Sequence, residues 1–200
     1  TVTTTNEKDE TLIHGIYIGR KRELFEMSVG KSQQMNMTKL QKPIKKAVVY
    51  LDPREFRSTW LGNKAVYRTR MAMEEGGELI VLAPNVKKFG EDNENDRLIR
   101  KYGYVGRKKV LELVKEEEEL KNNLSVAAHL IHGSSDGKFK VTYCTKYLTK
   151  EEVEGVGFNF MPYEDAVKKY NFEKLKDGYN TVDGEEIYYI SNPALGLWTV

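Results

Sequence analysis

A single cysteine, Cys144, stands in 200 residues, which excludes an intramolecular disulfide and the cysteine-based zinc frameworks. Without a partner nearby in sequence it reads as a small buried hydrophobe rather than a nucleophile. No apolar run approaches the ~20 residues that a membrane-spanning helix needs, and none resembles a secretory signal core. The expectation is a cytoplasmic protein with no membrane partner. An excess of one charge is missing too: 32 Lys and Arg face 30 Asp and Glu, for a formal net charge of +2. No whole-molecule field draws in nucleic acid, so any preference for anions has to be local.

Several motifs are also missing. No G-x-G-x-x-G follows a strand, and neither a Walker loop nor a G-x-S-x-G elbow occurs. Gly103-Tyr104-Val105-Gly106 lies between predicted helices and does not qualify. The histidines are His14, His129 and His132. The metalloprotease pattern needs a spacing of four with an intervening glutamate, and neither is present. The chain opens Thr1-Val2-Thr3-Thr4-Thr5 without methionine. A removed tag or propeptide would account for this; a fragment of a longer protein is the favoured expectation.

What is present is a globular chain, 40% apolar and 31% charged, long enough for one domain or for a domain with part of another. Residues 11–18 read as a strand and residues 20–37 as an amphipathic helix with Leu24, Met27 and Met35 among its apolar positions. Lys42-Pro43-Ile44-Lys45-Lys46 reads as a linker, because proline disfavours helix just before it. Ala47-Val48-Val49-Tyr50-Leu51 is an apolar run of the kind buried on both sheet faces. Residues 63–75 carry Ala65, Val66, Thr69, Ala72 and Met73 at helical spacing, with Gly76-Gly77 as the expected C-cap. Glu78–Ala83 is the next strand, which makes a right-handed βαβ unit with a parallel pair.

Helices are expected over 93–102, 107–121 and 124–132, a strand over 139–143, and a capping box in Thr149-Lys150-Glu151-Glu152. A strand at 157–161, a helix at 163–170, a strand at 186–190 and a turn at Asn192-Pro193 complete the pattern. The fold class is α/β, with a mixed, largely parallel sheet flanked by helices.

The chemistry concentrates between the strand at 47–51 and the helix after it. Arg54, Arg57, Lys64, Arg68, Arg70 and Trp60 crowd a strand-to-helix connection, the place where open α/β sheets bind ligands. A helix starting near Gly62 would put Lys64 in its first turn and Arg68 on the same face. A cation there is unfavourable unless an anion is bound, and helix amides favour that anion. Alongside this stands the plainer reading of Arg68 and Arg70 as surface charges and of Trp60 as a core plug. His129 and His132, three apart, suit a metal, an acid–base pair or simple contact with the last helix carbonyls. Glu116–Glu119 reads as a solvated helix face.

These residues resemble the C-terminal part of the nickel-dependent lactate racemase family. The matching pieces are the strand at 47–51, the loop ending in Asn63-Lys64, the helix closing at Gly76-Gly77, the strand Glu78–Ala83 and the loop Pro84–Gly90. Ile16-Tyr17-Ile18-Gly19 looks like the end of the family's N-terminal part. Together they cover roughly residues 10–170.

The resemblance implies a division into 1–42, a trailing segment of an N-terminal cofactor domain, and 43–200, a C-terminal α/β domain. It implies a parent enzyme that racemises or epimerises a 2-hydroxy acid by hydride transfer to a nickel-pincer nucleotide. The cofactor and its histidines belong to the upstream domain. The fragment alone is then expected to be inactive, to hold no metal or cofactor, and to pair with its own N-terminal domain and a small anionic 2-hydroxy acid.

Lys64 carries over as the lysine near the substrate. Arg57, Trp60, Asn63, Arg68 and His129 are the expected substrate-binding residues. The family's glutamine falls at Leu61, and its substrate-shielding tryptophan is missing at the start of the 124–132 helix. A larger polar 2-hydroxy acid, such as a sugar acid, therefore stands among the candidate substrates, with Arg54, Arg57 and His129 able to supply extra polar contacts. Two other classes remain open: a non-catalytic module that binds anions, and an NAD-dependent sugar-acid oxidoreductase, against which the missing glycine fingerprint counts.

Overall fold

The computed structural model describes residues 1–6, 8 and 10–200. In chain order it forms β1 (Val2–Thr5), β2 (Thr11–Gly15), α1 (Arg22–Asn36), β3 (Met37–Lys39), β4 (Ile44–Tyr50), α2 (Thr59–Gly62), α3 (Lys64–Thr69) and β5 (Met73–Ala83). There follow α4 (Asn93–Tyr102), α5 (Arg107–Glu116), α6 (Glu118–Lys121), α7 (Leu124–His132), β6 (Lys140–Thr145), α8 (Lys150–Gly155), β7 (Asn159–Phe160) and α9 (Tyr163–Lys169). The chain closes with β8 (Gly178–Val182), β9 (Glu185–Ile190), a 3-10 turn at Pro193–Leu195 and β10 (Leu197–Thr199).

Six strands build the central sheet in the order β7-β6-β5-β4-β9-β8. Every neighbouring pair is parallel except β8 with β9, so the sheet is mixed and largely parallel, as the sequence pattern predicts. Continuous apolar runs in β4 and β5 fit because both sheet faces are covered. Ala47, Val49, Leu79 and Val81 face a large core shared with Ala65, Val66, Leu98, Ile99 and Leu130. Val48, Ile80, Leu82 and Cys144 face a smaller one with Tyr163, Ala166, Tyr170 and Tyr189. Burial pushes the Cys144 thiol up to about 12, with Glu78 adding to the effect, so an inert thiol is what the fold enforces.

Helix ends follow their local chemistry. Asp92 caps α4 by accepting from the Asn95 amide at 2.8 Å, and Gly103 at φ 67° ends it. Asn123 caps α7 through the Val126 amide, and the Thr149–Glu152 capping box closes in both directions. Glu117 and Glu119 form an exposed belt of ion pairs with Arg97 and Lys101, and Glu118 pairs with Lys121.

Three sequence expectations are corrected. The helix predicted over 63–75 ends at Thr69, and Gly76-Gly77 lie inside β5. There Gly76 takes φ +76°, and the β4–β5 register jumps from Ile44↔Met73 to Lys46↔Glu78. A Cβ on Gly77 would lie 2.8 Å from the Lys45 carbonyl. These glycines serve a strand bulge and a close backbone approach, not a helix cap. The helix expected over 107–121 breaks at Glu117 into α5 and α6. Ile44, Lys45 and Lys46, read as linker, already belong to β4.

The first 36 residues pack differently from the rest. β1 and β2 form a two-stranded hairpin, and α1 buries none of its residues. Ile13, Ile16, Ile18, Phe25 and Met27 are exposed, Ile18 at 86% and Phe25 at 67%. β3 runs parallel to β10, pairing Met37 with Leu197 and Lys39 with Thr199. Among the described residues no helix is long and apolar enough to cross a membrane.

Candidate functional site

Leaving β4, the chain turns at Asp52, whose carbonyl accepts from the Glu55 and Phe56 amides. Arg54 folds back onto the Asp52 carboxylate at 2.6 Å, and this arginine holds Asp52 below the usual carboxylate range. The Phe56 ring is buried and anchors the loop. The helical line then begins at Thr59, four residues ahead of the expected start. Its first free amides are already satisfied: Thr59 N donates to the Lys88 carbonyl at 3.1 Å and Trp60 N to the Phe89 carbonyl at 2.8 Å. Ser58 caps Leu61 N and itself donates to the Glu91 carboxylate. The helix start is thus closed by the chain's own groups, and Lys64 sits more than a turn inside it. Any anion at Lys64 is held by the lysine, not by helix amides.

α2 and α3 run almost continuously, with Asn63 N bonded to the Thr59 carbonyl and Tyr67 N to the Asn63 carbonyl. Helical spacing therefore sorts the side chains into two stripes. Thr59, Asn63, Val66 and Thr69 are fully buried, whereas Trp60, Lys64, Tyr67 and Arg68 are half-buried on the open side.

Among the described residues no carboxylate lies within ion-pair distance of Lys64 or of the exposed Arg57. The Lys64 ammonium lies 5.7 Å from the Phe56 ring centroid. The other two arginines act as braces. Arg68 donates to the Gly196 carbonyl at 3.3 Å. Arg70 donates to the carbonyls of Ile131, His132 and Ser134 at 3.1, 2.6 and 2.6 Å, which caps the end of α7.

His129 joins this face from α7. The Trp60 ring lies over it with centroids 4.4 Å apart and planes 20° apart. Its Nε2 is 2.8 Å from the Tyr104 hydroxyl, which is 2.8 Å from Thr59 Oγ1. Thr59 in turn donates to the Phe89 carbonyl at 3.0 Å. Burial, with a smaller contribution from His132, pushes the His129 pKa down to about 4, so the ring is neutral at pH 7. His132 is exposed with its ring edge toward Tyr67 at 6.1 Å. His14 lies in β2, bonded to Thr4 Oγ1 at 2.7 Å, well apart in the sequence from this constellation.

Of the residues singled out in sequence, Trp60 and His129 come together, and Lys64 lies one helical turn beyond Trp60 on the same open side. Asn63 faces inward and accepts from the Tyr143 hydroxyl at 2.8 Å, and Arg57 extends into solvent. Sequence reading missed Thr59, Tyr104 and Tyr143. For Tyr104 a signal existed: glycines on both sides, at φ 67° and 91°, turn the connection so that the tyrosine points into the core.

Among the described residues no three His, Cys, Asp or Glu side chains come together to hold a metal ion. A separate cleft of about 620 Å³ lies between residues 3–5 and 35–38 and the end of β9. Its lining carries Asp177 and no lysine or arginine.

No family model matches the chain, and no curated protein matches it. Several solved structures are similar in fold, and two of them are described. One is a protein from Thermotoga maritima, 22% identical with a TM-score of 0.70, in which 98% of this chain matches 47% of that one. The other is the lactate racemase apoprotein from Thermoanaerobacterium thermosaccharolyticum, 12% identical with a TM-score of 0.59, covering 88% of this chain and 40% of that one. The chain thus spans about half the length of the solved structures it matches. At these identities the likeness is one of fold.

Proposed function

We propose that this chain is the substrate-closing half of a lactate-racemase-like enzyme, with residues 43–200 forming the capping domain and residues 1–42 trailing from a cofactor domain. The observation that carries the reading is Lys64: a half-buried cation with no carboxylate partner among the described residues, beside the Trp60–His129 stack. A substrate carboxylate fits that position. Lys64 fixes it as a point charge, and the flat Trp60 face excludes water beside it. Arg57 is free to reach a larger acid, so sugar acids stand with the short 2-hydroxy acids as candidates. Asn63, Arg68 and Arg70 hold the lysine's helix in place through the core and through neighbouring carbonyls.

The hydride chemistry that the resemblance implies is supplied by a nickel-pincer nucleotide held in the other half of the parent. What this half contributes is binding, orientation and closure. The exposed apolar residues of β2, α1 and the segment between them, Ile13, Ile16, Ile18, Phe25 and Met27, supply a face for the cofactor domain. By itself the 200-residue chain is inactive on this reading.

The test is Lys64→Ala in the full-length parent. Loss of an electrostatic positioning contact of this kind lowers turnover by about 100-fold or more, with an unchanged melting temperature. Unchanged turnover overturns the assignment. Calorimetry on the isolated chain addresses the non-catalytic alternative: tight binding of simple anions such as phosphate, with no catalytic loss in the Lys64→Ala parent, would favour an anion-binding module.

A further inference from the structure

The hydrogen-bond line behind Trp60 has a direction. It contains three contacts: His129 Nε2 to the Tyr104 hydroxyl, that hydroxyl to Thr59 Oγ1, and Thr59 Oγ1 to the Phe89 carbonyl. A carbonyl only accepts, and each hydroxyl carries one hydrogen. Thr59 therefore spends its hydrogen on Phe89, and Tyr104 must donate to Thr59. The contact between His129 and Tyr104 then has a proton only if the imidazole supplies it. Three contacts receive three hydrogens in one arrangement alone, with Nε2 protonated.

The other ring nitrogen is consequently bare. Nδ1 of His129 has no hydrogen-bond partner among the described residues. The buried side-chain atoms left unpartnered are Asn63 Nδ2 and Arg70 Nε, so Nδ1 reaches solvent. It does so from a ring pressed against Trp60, one helical turn from Lys64 on the same open stripe. Burial keeps the ring neutral at pH 7, which leaves the Nδ1 lone pair available. Tyr104 is itself fixed, stacked on Phe158 at 4.4 Å, so the tautomer is set by the core and does not wait for a ligand.

We infer that His129 is a specificity residue, locked as its Nε2–H tautomer, whose Nδ1 accepts a hydrogen bond from a ligand hydroxyl while Lys64 holds the same ligand's carboxylate. The pair selects hydroxy acids over plain carboxylates. The inference rests on the capping reading for its ligand, but its tautomer can be measured without any ligand.

The experiment has two parts. Imidazole nitrogen shifts of the 15N-labelled chain at neutral pH report a protonated Nε2 and a bare Nδ1 for His129; the reverse pattern overturns the inference. Lactate and propionate, which differ by one hydroxyl, are then titrated into the same sample. Lactate binds about 3- to 10-fold more tightly, the range expected of one neutral hydrogen bond.

Tyr104→Phe keeps the ring stack but removes the partner of Nε2–H, so both tautomers appear and the preference for lactate shrinks. His129→Phe keeps a ring under Trp60 without Nδ1 and abolishes the preference. That second variant covers the case in which Tyr104→Phe fails to fold. Equal binding of the two acids by the wild-type chain overturns the inference and leaves the Lys64 reading standing. Binding of neither acid overturns the inference, and the Lys64 reading is then decided by turnover of the full-length Lys64→Ala enzyme.

Discussion

The Tyr143 hydroxyl donates to Asn63 Oδ1 at 2.8 Å inside the core, across the space between β6 and the α2–α3 junction. The residue next to Lys64 in sequence is thus committed to holding the helix line against the sheet. Tyr143→Phe keeps the aromatic packing on Phe158 but leaves a buried carboxamide oxygen unpaired. It should cost about 1–3 kcal/mol of stability in urea denaturation. A loss indistinguishable from zero would show that the bond is not made in solution.

Gly133 ends α7 at an ordinary negative φ, so backbone strain is not the issue there. Space is: a Cβ would lie 2.4 Å from Asn63 Nδ2 and 2.5 Å from Tyr104 Cε1. Gly133→Ala should destabilise by about 1–3 kcal/mol through overpacking. It should also disturb the Tyr104–His129 contact, visible in the His129 ring resonances. Full stability in this variant would contradict the close approach.

Lys64→Ala removes no ion pair and opens no cavity in the core. Its stability should change by less than about 0.5 kcal/mol, in contrast to its large expected effect on turnover in the parent. A thermal melt of the isolated variant separates the two effects. A marked drop in melting temperature would make Lys64 a structural residue instead.

Acid should weaken the fold through His129. The folded His129 titrates at about 4 because it is buried, with His132 adding repulsion, whereas an unfolded histidine titrates near about 6.5. Between those values the unfolded chain binds more protons. The contribution is complete above about pH 6.5 and is lost as pH falls toward about 4. Urea midpoints measured across that window should fall with pH, and less steeply in His129→Phe. Parallel curves for the two proteins would refute the assignment.

The apolar face of the first 36 residues predicts behaviour of the isolated chain. Ile18 and Phe25 are largely exposed, so changing both to serine should leave stability within about 0.5 kcal/mol. Sedimentation should show less self-association than for the parent sequence. Unchanged sedimentation would mean that this face is not adhesive.

Much of the α/β body was legible in sequence because its signals are local. The helices at 93–102 and 124–132 carry their own caps, Asp92 with Gly103 and Asn123, and the β4 run is apolar throughout. Gly76-Gly77 misled for a physical reason: a left-handed glycine serves a strand bulge and a helix cap equally well, and only the β4–β5 register distinguishes them. β1, β3, β8 and β10 escaped notice because they are short and partly polar, and β3 and β10 in addition pair only with each other across the length of the chain. In the site, Trp60, Lys64 and His129 were accessible from residue type and spacing. Tyr104 and Tyr143 were not, since their roles exist only once segments far apart in sequence meet.

The pairing of β3 with β10 also bears on how the chain assembles. It joins residues 37–39 to residues 197–199, nearly the two ends of the α/β body, so it cannot close until the intervening segments have come together. Parallel pairs with such sequence separation form slowly. In refolding, the contact between these strands should therefore be the last formed, and in native-state hydrogen exchange its amides should be among the first to open. The short terminal strand acts as a clasp fastened at the end of folding, and the hairpin and helix ahead of β3 gain a fixed attachment only when it shuts.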